Sequence, residues 1–368
     1  MVNSVYIHIP FCMSICSYCD FCKFFYNEKV VDEYLLALEK EIKQNYKDEL
    51  IKTIYIGGGT PSSLNYSQLK KLFDIVSIFK KDKSIEFTIE CNIDVDDDKI
   101  KLFQENGVNR ISIGIETINE KLLKTLNRYH TKKDIVKKIN YINNIGITNI
   151  NVDLMYALPE ESIDDVKNDL DFVLTLPIKH ISAYSLIIEP HTVLYINKVK
   201  YIDEDLDYEM YKLISETLNK NDFIHYETSN YALKGYESKH NLVYWNNEHY
   251  YGFGIGASGY IKNVRYNNTK SYSNYLNRNY IKETEKLSKN DIIEYELLLG
   301  FRKMNGINKK DFFKKYNIKL EQICSELLKK KKLIDDGNNI KINTKYLYVS
   351  NQILIEFVGV DYEGKYIS

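Results

Sequence analysis

The chain has 368 residues, 44% hydrophobic and 27% charged, an ordinary globular balance with length for one large domain and a smaller one. Its formal net charge of −1 supplies no field that would hold nucleic acid by itself. No apolar run approaches the roughly 20 residues of a spanning helix, and "MVNSVYIHIPFC" has neither the basic region nor the cleavable apolar core of a leader, so a cytoplasmic protein without a transmembrane segment is expected.

"SVYIHI" opens the chain as a short buried strand. "VVDEYLLALEKEIKQNY" follows with Tyr34, Leu35, Leu38 and Ile42 on one helical face. "KTIYIGGG" is a strand ending in glycines, and "YSQLKKLFDIVSIF" the helix after it. Strands continue in "IEFTIECNI", "RISIGIET", "INVDLMYAL" and "HISAYSL", separated by the helical "DDKIKLFQENG", "TKKDIVKKINYINNIG" and "IDDVKNDLDFVLTL". Six strand–helix repeats with short turns predict an α/β fold with a parallel sheet and right-handed crossovers. Closed or partly closed, it is a TIM-like barrel whose chemistry gathers at the strands' C-terminal ends. Residues 225–275, rich in aromatics, Asn and Gly, read as extended segments and loops. From Asn290 helices return in "DIIEYELLLGFRKMNG", "KKDFFKKY" and "EQICSELLKKKKLI", then a turn and strand, which predicts a small winged-helix-like module. The expected division is a barrel over 1–235, an aromatic and Gly-rich connecting segment over 236–285 and a C-terminal α+β domain over 286–368. The run Lys329–Lys332 reads as a solvated helix end, and no nucleic-acid partner is expected.

The chemistry concentrates in "FCMSICSYCDFCKF", where Cys12, Cys16, Cys19 and Cys22 fall within eleven residues. Disulfides among them would close strained, very short loops. A structural zinc site needs a second ligand pair, and Cys91 and Cys324 stand alone. The C-x3-C-x2-C spacing of Cys12, Cys16 and Cys19 fits three irons of a [4Fe–4S] cube and leaves the fourth iron open. At the next strand end, "GGGTPSS" (Gly57–Ser63) lacks the Gly-Lys-Ser/Thr of a P-loop. It is either a plain glycine turn or a place where backbone approaches a ligand closely. "GFGIGASG" contains a formal G-x-G-x-x-G from Gly254 to Gly259, but neither a following helix nor a βαβ frame supports a dinucleotide site.

This cysteine spacing, with Tyr18 before the third cysteine and a strand just ahead of it, resembles the radical S-adenosylmethionine (SAM) superfamily. The resemblance implies a partial (β/α)6 barrel, a [4Fe–4S] cluster on Cys12, Cys16 and Cys19, and SAM chelated to the open iron. It also implies a reductant such as flavodoxin or ferredoxin, whose electron cleaves SAM to methionine and a 5′-deoxyadenosyl radical. Gly58, Gly59 and Thr60 are then expected at SAM's methionine end, Glu90 at its ribose and Arg128 near its carboxylate. Asp153, Tyr6 and Tyr18 match further pocket positions, and Glu116 stands where relatives usually carry Gln.

The longer motif "YIHIPFCxxxCxYCDF" resembles the oxygen-independent coproporphyrinogen III oxidase family. One branch removes carboxylates from porphyrinogen propionates; the other, HemW, holds haem for delivery to acceptor proteins. Eleven residues precede Cys12, and both Asp20 and Phe21 intervene before Cys22 where the oxidases have C-x-C. "HNLVYW" (His240–Trp245) matches the HNxxYW motif of the haem-binding branch. The chain is therefore expected to be a haem chaperone with haem and haem-accepting proteins as partners and His240 as a haem ligand, the alternative being an oxidative decarboxylase. Cys22 receives no role.

Overall fold

Alternation of apolar and polar residues, with its period of two, organises the centre of the molecule. On the first strand Val5, Ile7 and Ile9 alternate with Ser4, Tyr6 and His8; on the fourth, Ile111, Ile113 and Ile115 alternate with Arg110, Ser112 and Gly114. The isoleucines and Val5 are fully buried and belong to the main hydrophobic core. Each such side chain stabilises the fold by about 1.5–3 kcal/mol. A parallel sheet covered by helices on both faces would be apolar on both. Here the second face is polar, so it lines a lumen.

The computed structural model describes residues 2–366. Its six predicted strands, β1 (Ser4–Ile9), β2 (Ile51–Gly58), β3 (Lys81–Cys91), β4 (Arg110–Glu116), β5 (Asn149–Tyr156) and β6 (His180–Ser185), pair in chain order and in parallel. The connecting helices are α1 (Glu28–Asn45), α2 (Tyr66–Val76), α3 (Asp97–Glu105), α4 (Lys132–Asn144) and α5 (Ile163–Val173), with α6 (Glu204–Lys220) after β6. Capping boxes start three of them: Asn65 with Gln68, Thr131 with Asp134, and Ser162 with Asp165.

Three further strands lengthen the sheet. The hairpin β7 (Ile224–Glu227) and β8 (Asn230–Ala232) adds antiparallel to β6, and β9 (Tyr251–Phe253) adds parallel to β1. The order is β9-β1-β2-β3-β4-β5-β6-β8-β7, a nine-stranded curved sheet around the (β/α)6 unit.

The stretch 225–275 holds helices that its composition hides, α7 (Lys239–Trp245) and, at its end, the five-residue Tyr272–Leu276. Ser238 Oγ accepts the Asn241 N–H at 3.3 Å, and the Glu86 carboxylate accepts the N–H groups of Lys239 and His240 at 3.0 and 2.9 Å. An anion there compensates the helix's unpaired amides. Two turns are too short for a periodic signal, and the capping acceptor lies far away in sequence.

The C-terminal residues build a second core around Leu297, Phe301, Phe312 and Ile340. Helices Lys289–Gly300 and Lys309–Tyr316, short turns to Lys329 and a three-stranded sheet (Ile307–Asn308, Leu333–Asp335, Asn339–Ile342) give the winged-helix-like order. The last apolar stretch returns to the same core through Ile353, Leu354 and Phe357. The "GFGIGASG" segment runs from β9 into strand Ser258–Ile261 rather than a helix, which removes the dinucleotide reading.

Candidate functional site

The cysteine loop leaves β1 at the C-terminal end of the sheet and is closed at its base. Phe11–Cys12 pairs with Phe24–Phe25, and the Tyr26 N–H donates to Cys12 O at 2.9 Å. Its far side is held by Ser17 N–H on Leu126 O at 3.1 Å and by Asn127 Nδ2 on Ile15 O at 2.9 Å. Cys12, Cys16 and Cys19 thereby line one cavity of about 470 Å³, together with Gly58, Gly59 and Thr60 from the end of β2. Tyr18, Glu90, Glu116, Arg128 and Asp153 line it too. Cys22 stands outside the lining, against Gly256.

Burial pushes the Cys12 thiol up to about 11 and raises that of Cys19, so metal binding at neutral pH must displace their protons. Among the described residues no three His, Cys, Asp or Glu side chains stand close enough together to hold one metal ion. A cubane spreads its thiolates over separate corners. The donor set fits that larger body: three thiols on one cavity wall, Arg128 Nη1 3.5 Å from Cys16 Sγ and Thr60 Oγ1 3.5 Å from Cys12 Sγ.

The glycine run has an internal reason. Gly58 has φ +109°, and a Cβ there would lie 2.3 Å from the His8 ring. Its amide donates to Glu90 Oε2 at 2.9 Å, while the Tyr55 hydroxyl donates to Glu90 Oε1 at 2.8 Å. Burial nevertheless lifts Glu90 to about 7. Glu116 ends β4 at φ +64°, just after the ladder slips by one residue past Gly114, a strained placement for a side chain with a Cβ. It accepts from the Tyr18 hydroxyl at 2.9 Å and pairs with Arg128 Nη1 at 3.4 Å. Burial raises it to about 7 against the pull of Arg128. A Cβ on Gly114 would sit 2.6 Å from Glu116 Oε1, so the bare glycine makes room for this pair. Asp153, raised by burial, accepts from Asn151 Nδ2 at 2.8 Å and Ser112 Oγ at 3.3 Å.

Two expected residues lie behind the lining. Tyr6 donates to or accepts from His8 Nδ1 at 2.9 Å. His240 is 1% exposed, with Nδ1 2.8 Å from Thr53 Oγ1, Nε2 2.8 Å from the Tyr244 hydroxyl, and its ring 5.3 Å from that of Tyr55. Both ring nitrogens are therefore engaged in this structure. The residues after it reach two regions. Asn241 lines the cavity, Trp245 lies 5.9 Å from the Arg302 guanidinium, and Asn246 just beyond accepts from Lys303 Nζ at 2.6 Å.

Sequence reading missed the deeper lining: Tyr55, Arg110, Ser112, Asn151, Ser182, Tyr184 and Asn241. A signal was present on two strands, where Arg110 and Ser112 share parity with Glu116 and Asn151 shares it with Asp153; Tyr55, Ser182 and Tyr184 have no recognised neighbour of like parity on their strands.

The Radical SAM superfamily profile matches residues 6–173. The "Heme chaperone HemW" of Lactococcus lactis subsp. lactis is 40% identical over 374 residues, covering 97% of both chains. That of Bacillus subtilis is 38% identical over 379 residues, covering 97% of this chain and all of its own. The solved coproporphyrinogen III oxidase HemN from Escherichia coli superposes with a TM-score of 0.86 at 20% identity, over 97% of this chain and 90% of that one, which shows the shared fold. No helix among the described residues is long and apolar enough to cross a membrane.

Proposed function

This chain belongs to the HemW family of the radical SAM superfamily, and we propose that it binds a [4Fe–4S] cluster, SAM and haem and passes haem to acceptor proteins. The observation that carries this reading is the convergence of three thiols, the Gly58–Thr60 turn and the Glu116–Arg128 pair on one cavity, in a chain matching haem chaperones over nearly its whole length.

In this reading Cys12, Cys16 and Cys19 would hold the cluster. Once bound, it supplies electron transfer and an open iron for SAM's amino and carboxylate groups. Arg128 is 10% exposed in its side chain and keeps a positive charge beside Cys16 and the cavity. There it offers donors to a carboxylate and offsets thiolate charge. Glu90 and Asp153 offer acceptors for ribose hydroxyls; each is pre-oriented by hydrogen bonds on this chain. A donor such as flavodoxin or ferredoxin would supply the electron.

Haem is the cargo, and a deliverable cargo must be held weakly enough to leave. The HNxxYW resemblance nominates His240 as its ligand. That role requires the ring to give up one of its two partners, Thr53 or Tyr244, while the other nitrogen keeps its hydrogen bond. His191 is exposed two residues beyond Glu189 of the cavity mouth, beside the exposed Val193, Tyr195 and Ile196, and favours a second site of ligation at the rim.

Haem titration of the anaerobically reconstituted protein, with His240→Ala and His191→Ala alongside, tests the reading. The expected result is stoichiometric binding, transfer to an apo-acceptor, and no decarboxylation of coproporphyrinogen in the same sample. Loss of binding in one folded variant identifies the ligand. Decarboxylation without haem binding would replace the chaperone with an oxidase.

A further inference from the structure

The cavity does not end at the SAM-type residues. Arg110 is the first residue of β4 and Glu116 the last, so their Cα atoms stand about 20 Å apart along the strand at 3.3 Å per residue. Both side chains nevertheless line the same cavity. Arg110 therefore enters the lumen from the end opposite the cysteines.

Arg110 is 2% exposed, and its Nε has no hydrogen-bond partner. Among the described residues no carboxylate lies within 4 Å of its guanidinium to form an ion pair. The nearby lumen acids, Glu90 and Asp153, feel its charge without pairing with it. Glu90 accepts from Tyr55 and Gly58, and Asp153 accepts from Asn151 and Ser112. A buried cation left in this state is destabilising unless something else satisfies it. Its charge reaches its surroundings: Arg110 contributes, after burial, to keeping His180 and His240 unprotonated.

Helix α7 closes the same end. Glu86 pins its first amides, His240 fastens it to Thr53, and Asn241 faces the cavity. We propose that Arg110 and Asn241 form a carboxylate-binding subsite at the floor of the barrel lumen, for a slender molecule lying along the barrel axis with its acid group inward. A guanidinium presents a planar fork of donors that matches a carboxylate, and an amide adds a neutral donor without a competing charge. The thiol-lined mouth then faces the molecule's other end. This subsite does not rest on haem delivery. It also gives the HNxxYW segment a position-specific task at the floor.

The test uses full-length, cluster-reconstituted protein labelled with 15N-arginine. The chain has five arginines, so few Nε–H resonances appear, and Arg110→Lys assigns the one of interest. Sodium propionate, propionamide and sodium chloride serve as probes at matched ionic strength. The expected result is a saturable downfield shift of the Arg110 Nε–H with propionate and none with propionamide or chloride, while the Arg265, Arg278 and Arg302 signals stay in place. Absence of a shift, an equal response to propionamide, or a response confined to Arg128 would overturn the subsite. If Arg110→Lys fails to fold, Asn241→Ala serves instead, weakening the propionate response without removing the resonance. Haem absorbance plays no part in this readout, so the two proposals can fail separately.

Discussion

Replacing His240 by alanine asks whether the HNLVYW segment is first of all part of the barrel. Two hydrogen bonds disappear, to Thr53 Oγ1 and the Tyr244 hydroxyl, each 2.8 Å long. At about 1 kcal/mol net apiece they contribute about 2 kcal/mol. The void and the lost contact with the Tyr55 ring, 5.3 Å away, add about 1–2 kcal/mol. The expected loss is therefore about 3–4 kcal/mol at pH 7, read by urea unfolding through the fluorescence of Trp245, the single tryptophan. Acid sharpens the test. Burial, then the charge of Arg110, depress His240 from the ordinary 6.5 to about 3. The unfolded chain takes up a proton that the folded one refuses. Stability from the neutral ring is thus complete above pH 6.5 and declines as pH falls toward 3, by up to about 1.4 kcal/mol per unit. Between pH 7 and 5 the wild type should lose about 2 kcal/mol from this group alone, and the gap to His240→Ala should narrow by that amount. His8 and His180, depressed mainly by burial, steepen both curves equally. A loss under about 1 kcal/mol at pH 7, or a gap that stays constant down to pH 5, would refute a buried, doubly bonded ring.

Cys16→Ala should abolish reconstituted iron and the visible cluster absorbance, whereas Cys22→Ala, outside the cavity lining, should retain both; iron and sulfide assays decide. Gly58→Ala places a Cβ 2.3 Å from His8 at φ +109°, and we expect more than about 2 kcal/mol of destabilisation, measured by thermal unfolding; wild-type stability would disprove the steric reading. Glu116→Gln keeps an acceptor for Tyr18 and Arg128, and should stay within about 1.5 kcal/mol of wild type in urea unfolding. Arg128→Met leaves Glu116 buried and unpaired, and should lose about 3–5 kcal/mol and weaken SAM binding about tenfold or more by calorimetry.

Several features were legible because their causes are local. Strands β1 to β6 announce themselves by short apolar runs between turns, and helices α4 and α5 by helical periodicity. Cys12, Cys16 and Cys19 stand out by their spacing, and all three line one cavity. Edge strand β9 was not legible, because three residues carry little pattern and its partner β1 lies about 245 residues earlier. Helix α7 was hidden for a similar reason, its N-terminus being completed by Glu86.

The amino-acid order by itself determined the barrel repeat and the thiol triad, since these follow from periodicity and spacing within short windows; Glu90, Glu116 and Asp153 were named by resemblance. Only tertiary structure decided which polar groups are satisfied. It gave His240 two partners, Thr53 on a distant strand and Tyr244 one turn away, and left the Arg110 Nε without one. A hydrogen bond depends on where two chain segments meet, and neither segment carries that information alone.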